Sequence, residues 1–351
     1  MKLRSIVIFI VLGFLSTVIY YVNYKLLVVS LVWSGIIALL HYFMERTSRI
    51  SLFRTIFFAI LAFSFLMEMH IFFNQENSFL PYCHIGMAGN VLNIGYNEFL
   101  AIKNQTFLRY GALSIGIAWL LIILINGGGF CSYGCFFGGI DDTFSQLLRK
   151  PLIRISSSTK FREFQFALLI FLIAISFIYS YSVFCQWLCP LKLSCSIINE
   201  NSRTYMFQVY LFIGIGLVFL VMLPFLAKKR FFCSVICPFG ALPPLVHKFT
   251  PYKITIDKSS CSKCGKCSEV CPSFAIVKSP KTSIPHITRF CTLCMRCASK
   301  CPTKSIKQTL YNRKETSLIP FISIMLGGAV SLFYLPNAII DLINFLCSLK
   351  I

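Results

Sequence analysis

Long apolar stretches dominate the first two-thirds of the chain. A helix needs about 20 mostly apolar residues to cross the hydrocarbon layer of a membrane. Six stretches of roughly this length follow one another, at Ile6–Val22, Leu26–Met44, Leu52–Phe73, Phe107–Ile125, Phe164–Val183 and Met206–Leu226. Their succession predicts a bundle of membrane-spanning helices over residues 1–226.

The pattern changes at residue 227. Residues 227–316 hold most of the charged side chains and no apolar run of spanning length, so we expect a polar domain inserted between membrane segments. A seventh apolar run, Ser317–Leu335, follows, and Pro336 breaks it before the shorter run Asn337–Leu349. A run this short fits an interfacial or re-entrant helix. Residues 317–351 are therefore predicted to return to the membrane, which makes about six to eight spans in all.

The composition supports this division. Hydrophobic residues make up 57% of the 351 residues and charged residues 13%, whereas about 25% of a soluble domain is charged. Lys and Arg number 33 against 12 Asp and Glu. In a membrane protein such an excess marks cytoplasmic loops beside anionic lipid, so we predict membrane lipid as a partner and no nucleic acid.

The distribution of Lys and Arg predicts the orientation. With a cytoplasmic N-terminus, 27 of them lie inside and 5 outside, and without residues 227–316 the counts are 10 and 5. Because positive charge favours the cytoplasmic side, we predict a multi-pass protein of a prokaryotic inner (cytoplasmic) membrane, with its N-terminus and polar domain in the cytoplasm. Lys228, Lys229 and Arg230 directly follow the sixth run and are predicted to anchor it at the inner boundary.

The cysteine spacing carries the strongest chemical signal. The polar domain contains the run Cys-x2-Cys-x2-Cys-x3-Cys-Pro twice, starting at Cys261 and at Cys291. In bacterial ferredoxins three thiolates of such a run hold one [4Fe-4S] cluster and the fourth reaches the other cluster. The spacing predicts a first ferredoxin site of Cys261, Cys264, Cys267 and Cys301. It predicts a second ferredoxin site of Cys291, Cys294, Cys297 and Cys271.

Three Cys-x3-Cys pairs follow the fourth, fifth and sixth apolar runs. Residues four apart share one face of a helix, so each pair presents two thiolates together, which is half of what a [4Fe-4S] cluster takes. The predicted topology puts four cysteines on the cytoplasmic side, as an inner-edge site of Cys131, Cys135, Cys233 and Cys237. It puts four on the opposite side, as an outer-edge site of Cys83, Cys185, Cys189 and Cys195. With Cys347, these sites account for all 17 cysteines.

Other interpretations stay open at several positions. Structural zinc usually takes two separated cysteine pairs, which does not explain three thiolates within seven residues. The Cys-x3-Cys pairs could also be buried packing residues, and His84 could replace a ligand of the outer-edge site. Four basic residues interleave the ferredoxin ligands: Lys263, Lys266, Arg296 and Lys300. They either raise cluster potentials or dock an acidic donor, or else form a solvated basic face.

The arrangement resembles the NapH/NosR-type membrane polyferredoxins, which combine several spans, Cys-x3-Cys-Pro motifs and a double ferredoxin segment. Residues Gly129–Pro302, about half of the chain, carry the resemblance, and Phe232–Leu242 matches the family motif closely. The sequence departs from the family in that Phe136, not proline, follows Cys135, and no long flavin-binding domain precedes the spans. The resemblance implies electron transfer from membrane quinol or cytoplasmic donors to partners across the membrane, or, in some members, support of metalloprotein maturation.

We therefore expect an all-α membrane bundle with an inserted α+β domain of the two-[4Fe-4S] ferredoxin type. Its expected function is to relay electrons between a soluble cytoplasmic partner and a membrane or extracytoplasmic partner. One alternative is an oxidoreductase subunit that oxidises quinol or reduces quinone, with Glu68 and His70 relaying protons. Another is an accessory redox protein for cofactor assembly or for redox sensing.

Three further features receive structural interpretations. The glycines at positions 127–129 lack the Lys-Ser/Thr of a phosphate loop, so they are interpreted as a flexible turn. Asp141 and Asp142 are interpreted as the cap of a helix start. No Ser-His-Asp or paired-carboxylate arrangement stands out, and no catalytic side chain is predicted.

Overall fold

Helices form most of the computed structural model, which describes residues 3–47, 49–72, 83–104, 111–155, 160–193, 204–278, 284–311 and 314–348. The α-helices are α1 Leu3–Tyr20, α2 Tyr24–Thr47, α3 Ile50–Phe72, α4 His84–Gly89, α5 Val91–Lys103, α6 Gly111–Asn126, α7 Phe130–Tyr133, α8 Phe136–Leu147, α9 Lys160–Tyr179, α10 Val183–Trp187, α11 Tyr205–Ile215, α12 Leu223–Ala227, α13 Leu242–Val246, α14 Lys266–Val270, α15 Arg296–Lys300, α16 Leu318–Ser331 and α17 Leu335–Ser348. The strands are β1 Tyr252–Ile256, β2 Ile276–Lys278, β3 Pro285–Ile287, β4 Ile306–Leu310 and β5 Lys314–Glu315.

Within the described ranges, five helical stretches are long and apolar enough to cross a membrane: Leu3–Tyr20, Tyr24–Thr47, Leu113–Tyr133, Lys160–Tyr179 and Met206–Ala227. They coincide with five of the six predicted runs. The remaining run corresponds to α3, whose apolar part Ile50–Leu66 is shorter.

The C-terminal apolar segment is a bent helix pair. Leu318–Ser331 and Leu335–Asn344 meet at 46° and together have the length of a sixth span. We predicted the break at Pro336, but it lies before that residue, and Pro336 belongs to the first turn of α17. Proline is tolerated there because the first-turn N–H groups have no partner within the helix.

Two apolar cores hold the bundle together. One lies between α1, α2, α3 and the C-terminal pair, and Trp33 Nε1 crosses it to donate to Ser331 Oγ at 2.8 Å. The other surrounds the cysteines that follow α6 and α12, with Phe130, Phe137 and Phe232 fully buried. The second core is rich in aromatic rings that pack against thiols.

The polar domain consists of two halves with the same backbone plan. β1 pairs antiparallel with β4, from Tyr252 opposite Leu310 to Ile256 opposite Ile306, and β2 pairs antiparallel with β3. Each half contains a cysteine loop, one short helix (α14 or α15) and a strand after its last cysteine. This is the α+β domain expected between the membrane segments.

The polar domain packs closely against the bundle. Gly128 lies where the two regions meet, and a methyl group there would be 2.6 Å from the Cys291 carbonyl oxygen. Residues 127–129 form the predicted turn, a buried 3-10 turn in which Gly128 allows two backbones to approach. Lys229 and Arg230, predicted to anchor the sixth run, are both buried. Lys229 Nζ donates to the Glu269 and Cys271 carbonyls of the polar domain, whereas the Arg230 guanidinium reaches Asp142 in the bundle.

Candidate metal centres

The first ferredoxin site lies around a single cavity. All four predicted ligands, Cys261, Cys264, Cys267 and Cys301, line one cavity. Lys263 and Gly265 have positive φ values of 56° and 75°, so the backbone turns sharply between the thiols. A loop that wraps three thiols around one cavity while a fourth arrives from the other half has the chemistry of a [4Fe-4S] site.

The second ferredoxin site repeats this backbone. Leu293 and Met295 have φ values of 54° and 60°, at the positions equivalent to Lys263 and Gly265. Side chains with a Cβ avoid this conformation, which costs of order 1–3 kcal/mol and persists where the surrounding structure imposes it. The predicted ligands Cys291, Cys294 and Cys271 all lie within electrostatic reach of Cys297.

The two ferredoxin sites differ in their surroundings. Burial and then the neighbouring thiols raise the pKa of Cys297 well above its usual range. By contrast, Cys264 is exposed, and hydrogen bonds from the Lys266 backbone and the Ser262 side chain lower its pKa. Buried thiols of this kind become ligands only together with a cation that compensates their charge.

The inner-edge site is formed by two segments with the same local structure. Residues 130–138 and 232–240 both read Phe-Cys-x3-Cys-x-Phe-Gly. The N–H of Cys135 donates to Phe130 O at 3.1 Å, and the N–H of Cys237 donates to Phe232 O at 3.0 Å. In each segment the glycine packs directly on the carbonyl of the first cysteine. The four cysteines Cys131, Cys135, Cys233 and Cys237 are all buried and lie within electrostatic reach of one another.

Polar side chains from α9 hold the backbone of this site. Arg162 donates to Cys233 O and Gly240 O, both at 3.2 Å. Gln165 Nε2 donates to Cys233 O at 3.0 Å and to Cys237 O at 2.5 Å. Because Arg162 and Gln165 lie in the first turns of a spanning helix, the start of that helix fixes the second cysteine segment.

A buried carboxylate links three regions of the molecule. Asp142 accepts hydrogen bonds from Arg54 at 2.7 Å, Arg230 at 2.8 Å and Arg296 at 3.0 Å. Burial alone would raise the pKa of Asp142, but the Arg230, Arg54 and Arg296 guanidiniums outweigh it and hold the pKa below its usual range. The neighbouring Asp141 accepts the N–H of Cys233 at 2.9 Å. These aspartates lie inside α8, so their interpretation as a helix cap was wrong.

Sequence reasoning missed this network. Arg296 was considered for the basic face of the ferredoxin loops, but it is buried and bound to Asp142. The available signal was a pair of acids beside a cysteine motif, in a chain with only 12 acidic residues. Lys263, Lys266 and Lys300, by contrast, are exposed.

The outer-edge site is only partly within the described residues. Cys83 and Cys185 lie within electrostatic reach of each other, and both Cys185 and Cys189 lie within reach of Lys192. Cys195 lies outside the described residues, as do the side chains of Glu68 and His70.

His84 faces the inner-edge site. Its Nε2 atom is 3.3 Å from Cys135 Sγ, and its ring packs against Trp119, Phe130 and Phe239. His84 was considered as a substitute ligand of the outer-edge site, but its ring nitrogen contacts Cys135 of the inner-edge site. Since His84 directly follows Cys83, α4 connects the surroundings of the two sites.

The second ferredoxin site and the inner-edge site share a cavity. This inter-site cavity is lined by Cys291 and Thr292 from the second ferredoxin loop and by Cys131, Cys233 and Arg162 around the inner-edge site. Among the described residues, no three His, Cys, Asp or Glu side chains are grouped as they would be around a single metal ion. Thiols spread around a cavity fit a multi-iron cluster, whose ligands bind different iron atoms.

Comparisons with known proteins agree with this geometry. Residues 260–306 match a 4Fe-4S dicluster domain, and residues 108–154, 164–196 and 210–256 each match a 4Fe-4S binding domain. Together with the apolar helices, these matches support a membrane protein that binds 4Fe-4S clusters, of the polyferredoxin kind.

A relative among the curated proteins is YccM of Escherichia coli (strain K12), described as an electron transport protein. It is 33% identical over 95 residues, which cover 25% of this chain and 26% of YccM. The match thus spans about a quarter of each protein. No solved structure matches the chain.

Proposed function

We propose that the chain relays electrons between a soluble redox partner and the far side of a membrane, using [4Fe-4S] clusters held at the two ferredoxin sites, the inner-edge site and the outer-edge site. The observation that carries this proposal is the inter-site cavity, where Cys291 of the second ferredoxin site faces Cys131 and Cys233 of the inner-edge site. Such clusters, when bound, take up and release single electrons at potentials that the protein sets.

The four proposed sites follow one another from the solvent-exposed half of the polar domain into the membrane bundle. Cys264 of the first ferredoxin site is exposed, whereas Cys294 and Cys297 of the second site are buried, and Cys294 lies within electrostatic reach of Tyr133 in the bundle. The inner-edge cysteines follow across the cavity. His84 and Cys83 continue the order, because His84 contacts Cys135 and Cys83 lies near Cys185.

The orientation belongs to the same proposal. The distribution of Lys and Arg supports a cytoplasmic N-terminus and a cytoplasmic domain at residues 227–316, in a prokaryotic inner membrane. The membrane bundle then consists of residues 1–226 and 317–351. The partners are a soluble cytoplasmic redox protein and a membrane or extracytoplasmic one, and YccM's description as an electron transport protein supports this role.

The proposal is tested first by composition. Anaerobically purified protein should contain about 16 iron and 16 acid-labile sulfide atoms per chain, four for each of four clusters. A Cys131→Ala/Cys233→Ala variant should lose about four of each and keep the ferredoxin signals in electron paramagnetic resonance (EPR) spectra. A Cys347→Ala variant serves as the control, because this exposed cysteine belongs to none of the four sites.

Electron passage across a bilayer is the second test. Vesicles containing the protein would enclose ferricyanide, and dithionite would be added outside. The wild type should bleach the trapped ferricyanide, and the Cys131→Ala/Cys233→Ala variant should not. Equal bleaching by both proteins would rule out the relay, and bleaching that requires added quinone would favour the quinol-linked alternative.

A further inference from the structure

Arg162 differs from the other buried arginines near the inner-edge site. Arg54, Arg230 and Arg296 each form an ion pair with Asp142. Arg162 is 2% exposed, yet its partners are two carbonyl oxygens and the Phe290 ring, 5.1 Å from its guanidinium carbon. Within the described part of the chain, no carboxylate pairs with it.

The inter-site cavity collects hydrogen-bond donors that have no acceptor. Arg162 Nε, Ser234 Oγ and Thr292 Oγ1 are buried atoms without a hydrogen-bond partner among the described residues, and all three residues line the cavity. Ser234 follows Cys233 and Thr292 follows Cys291, so these donors come from both sides. Buried donors without acceptors, and a buried charge without a counter-charge, are both costly. Their shared cavity indicates an anionic, acceptor-rich group between them.

The four-thiolate sites supply a group of this kind. A [4Fe-4S] cluster with four cysteine ligands is an anion, it becomes more negative on reduction, and its sulfur atoms accept hydrogen bonds. The cysteines within electrostatic reach of Arg162 come from both sites: Cys131, Cys233 and Cys237 from the inner edge and Cys271 from the second ferredoxin site. A fixed positive charge at this position favours the more negative, reduced state.

We propose that Arg162 is a positioning residue that raises the reduction potential of the inner-edge site above that of the exposed first ferredoxin site, with Ser234 and Thr292 adding hydrogen bonds. Burial by itself disfavours the more negative state, and the buried guanidinium opposes this effect. The lysines around the first site are exposed, so solvent weakens their influence. Electrons entering at the polar domain therefore move downhill toward the membrane. This inference rests on the proposed function and adds the direction of electron flow.

The test is a potentiometric titration of the purified protein, followed by EPR. The inner-edge signal is identified as the one absent from the Cys131→Ala/Cys233→Ala variant. In the wild type it should have a higher midpoint potential than the first ferredoxin site. In an Arg162→Gln variant it should move to a more negative potential, while the first site stays unchanged. An Arg162→Lys variant, which keeps the charge, should recover part of the shift.

The matched control is Arg289→Gln. Arg289 lies 5.4 Å from the same Phe290 ring but is exposed to solvent, so its removal should leave the potentials unchanged. If the Arg162→Gln variant does not retain the inner-edge cluster, the shift in midpoint potential is measured in a Thr292→Val variant instead. Valine has the shape of threonine but lacks its unpaired hydroxyl.

The outcomes separate the two proposals. Wild-type protein without an inner-edge signal would overturn the relay itself. Two results would overturn only the role of Arg162. One is an inner-edge signal with the lowest midpoint potential, and the other is a midpoint potential that does not change in either Arg162→Gln or Thr292→Val.

Discussion

The two halves of the polar domain share a sequence pattern and a backbone but have opposite surroundings. The positive φ values at Lys263 and Gly265 recur at Leu293 and Met295. In the first half the loop faces solvent, with Lys263, Cys264 and Lys266 exposed. In the second half the equivalent residues are buried against the membrane bundle. Ligand spacing therefore specifies the kind of site, whereas the residues between the ligands decide whether the site faces a partner or the bundle.

Removing one ligand from each half should give the largest difference. Cys264→Ala and Cys294→Ala should each cost about four iron atoms per chain. Because Cys294 lies at the contact with the bundle, only its loss should also loosen the polar domain and increase its cleavage by protease in detergent. Iron content and limited proteolysis measure the two effects. Equal protease sensitivity of the two variants would show that the buried half does not support docking.

Removing the buried carboxylate should have the next largest effect. Asp142→Asn leaves the guanidiniums of Arg54, Arg230 and Arg296 without their shared counter-charge. Loss of one partner from a buried ion pair typically costs about 3–5 kcal/mol. The loss of stability is measured by denaturant unfolding in detergent, with the protease sensitivity of the polar domain as the readout. Glu315→Gln is the control, since its ion pair with Lys307 is on the surface, and it should change stability little.

Charge reversal on the exposed half should have a smaller, salt-dependent effect. Lys263→Glu/Lys266→Glu should slow reduction of the protein by an acidic flavodoxin about tenfold at low ionic strength. The difference should disappear near 1 M salt, where the screening length is about 3 Å. Stopped-flow absorbance measures the rates. The control Lys248→Glu/Lys253→Glu carries the same charge change near the end of β1 remote from Cys261, and an equal slowing there would exclude a specific docking surface.

Local sequence patterns predict the structural features that depend on residues close together in the chain. The Cys-x2-Cys-x2-Cys loops, the spanning helices and the Cys-x3-Cys turns each follow from residues close together in the chain. The partners of Asp142 do not, because Arg54 and Arg230 are each 88 residues away and Arg296 is 154 residues away. In the sequence, Lys229 and Arg230 have the pattern of a membrane anchor. They become internal only because the polar domain packs on the bundle. A contact between segments far apart in the chain leaves no periodic pattern in the sequence.

The burial of the cysteines around the inter-site cavity also has a consequence for biogenesis. Cys131, Cys233 and Cys294 are almost inaccessible once the polar domain is docked, and the ion pairs of Arg230 and Arg296 with Asp142 hold it in place. An iron–sulfur carrier delivers its cargo by direct contact with the receiving thiols. We therefore expect clusters to be inserted while the polar domain is still separate from the bundle, before the final folding step.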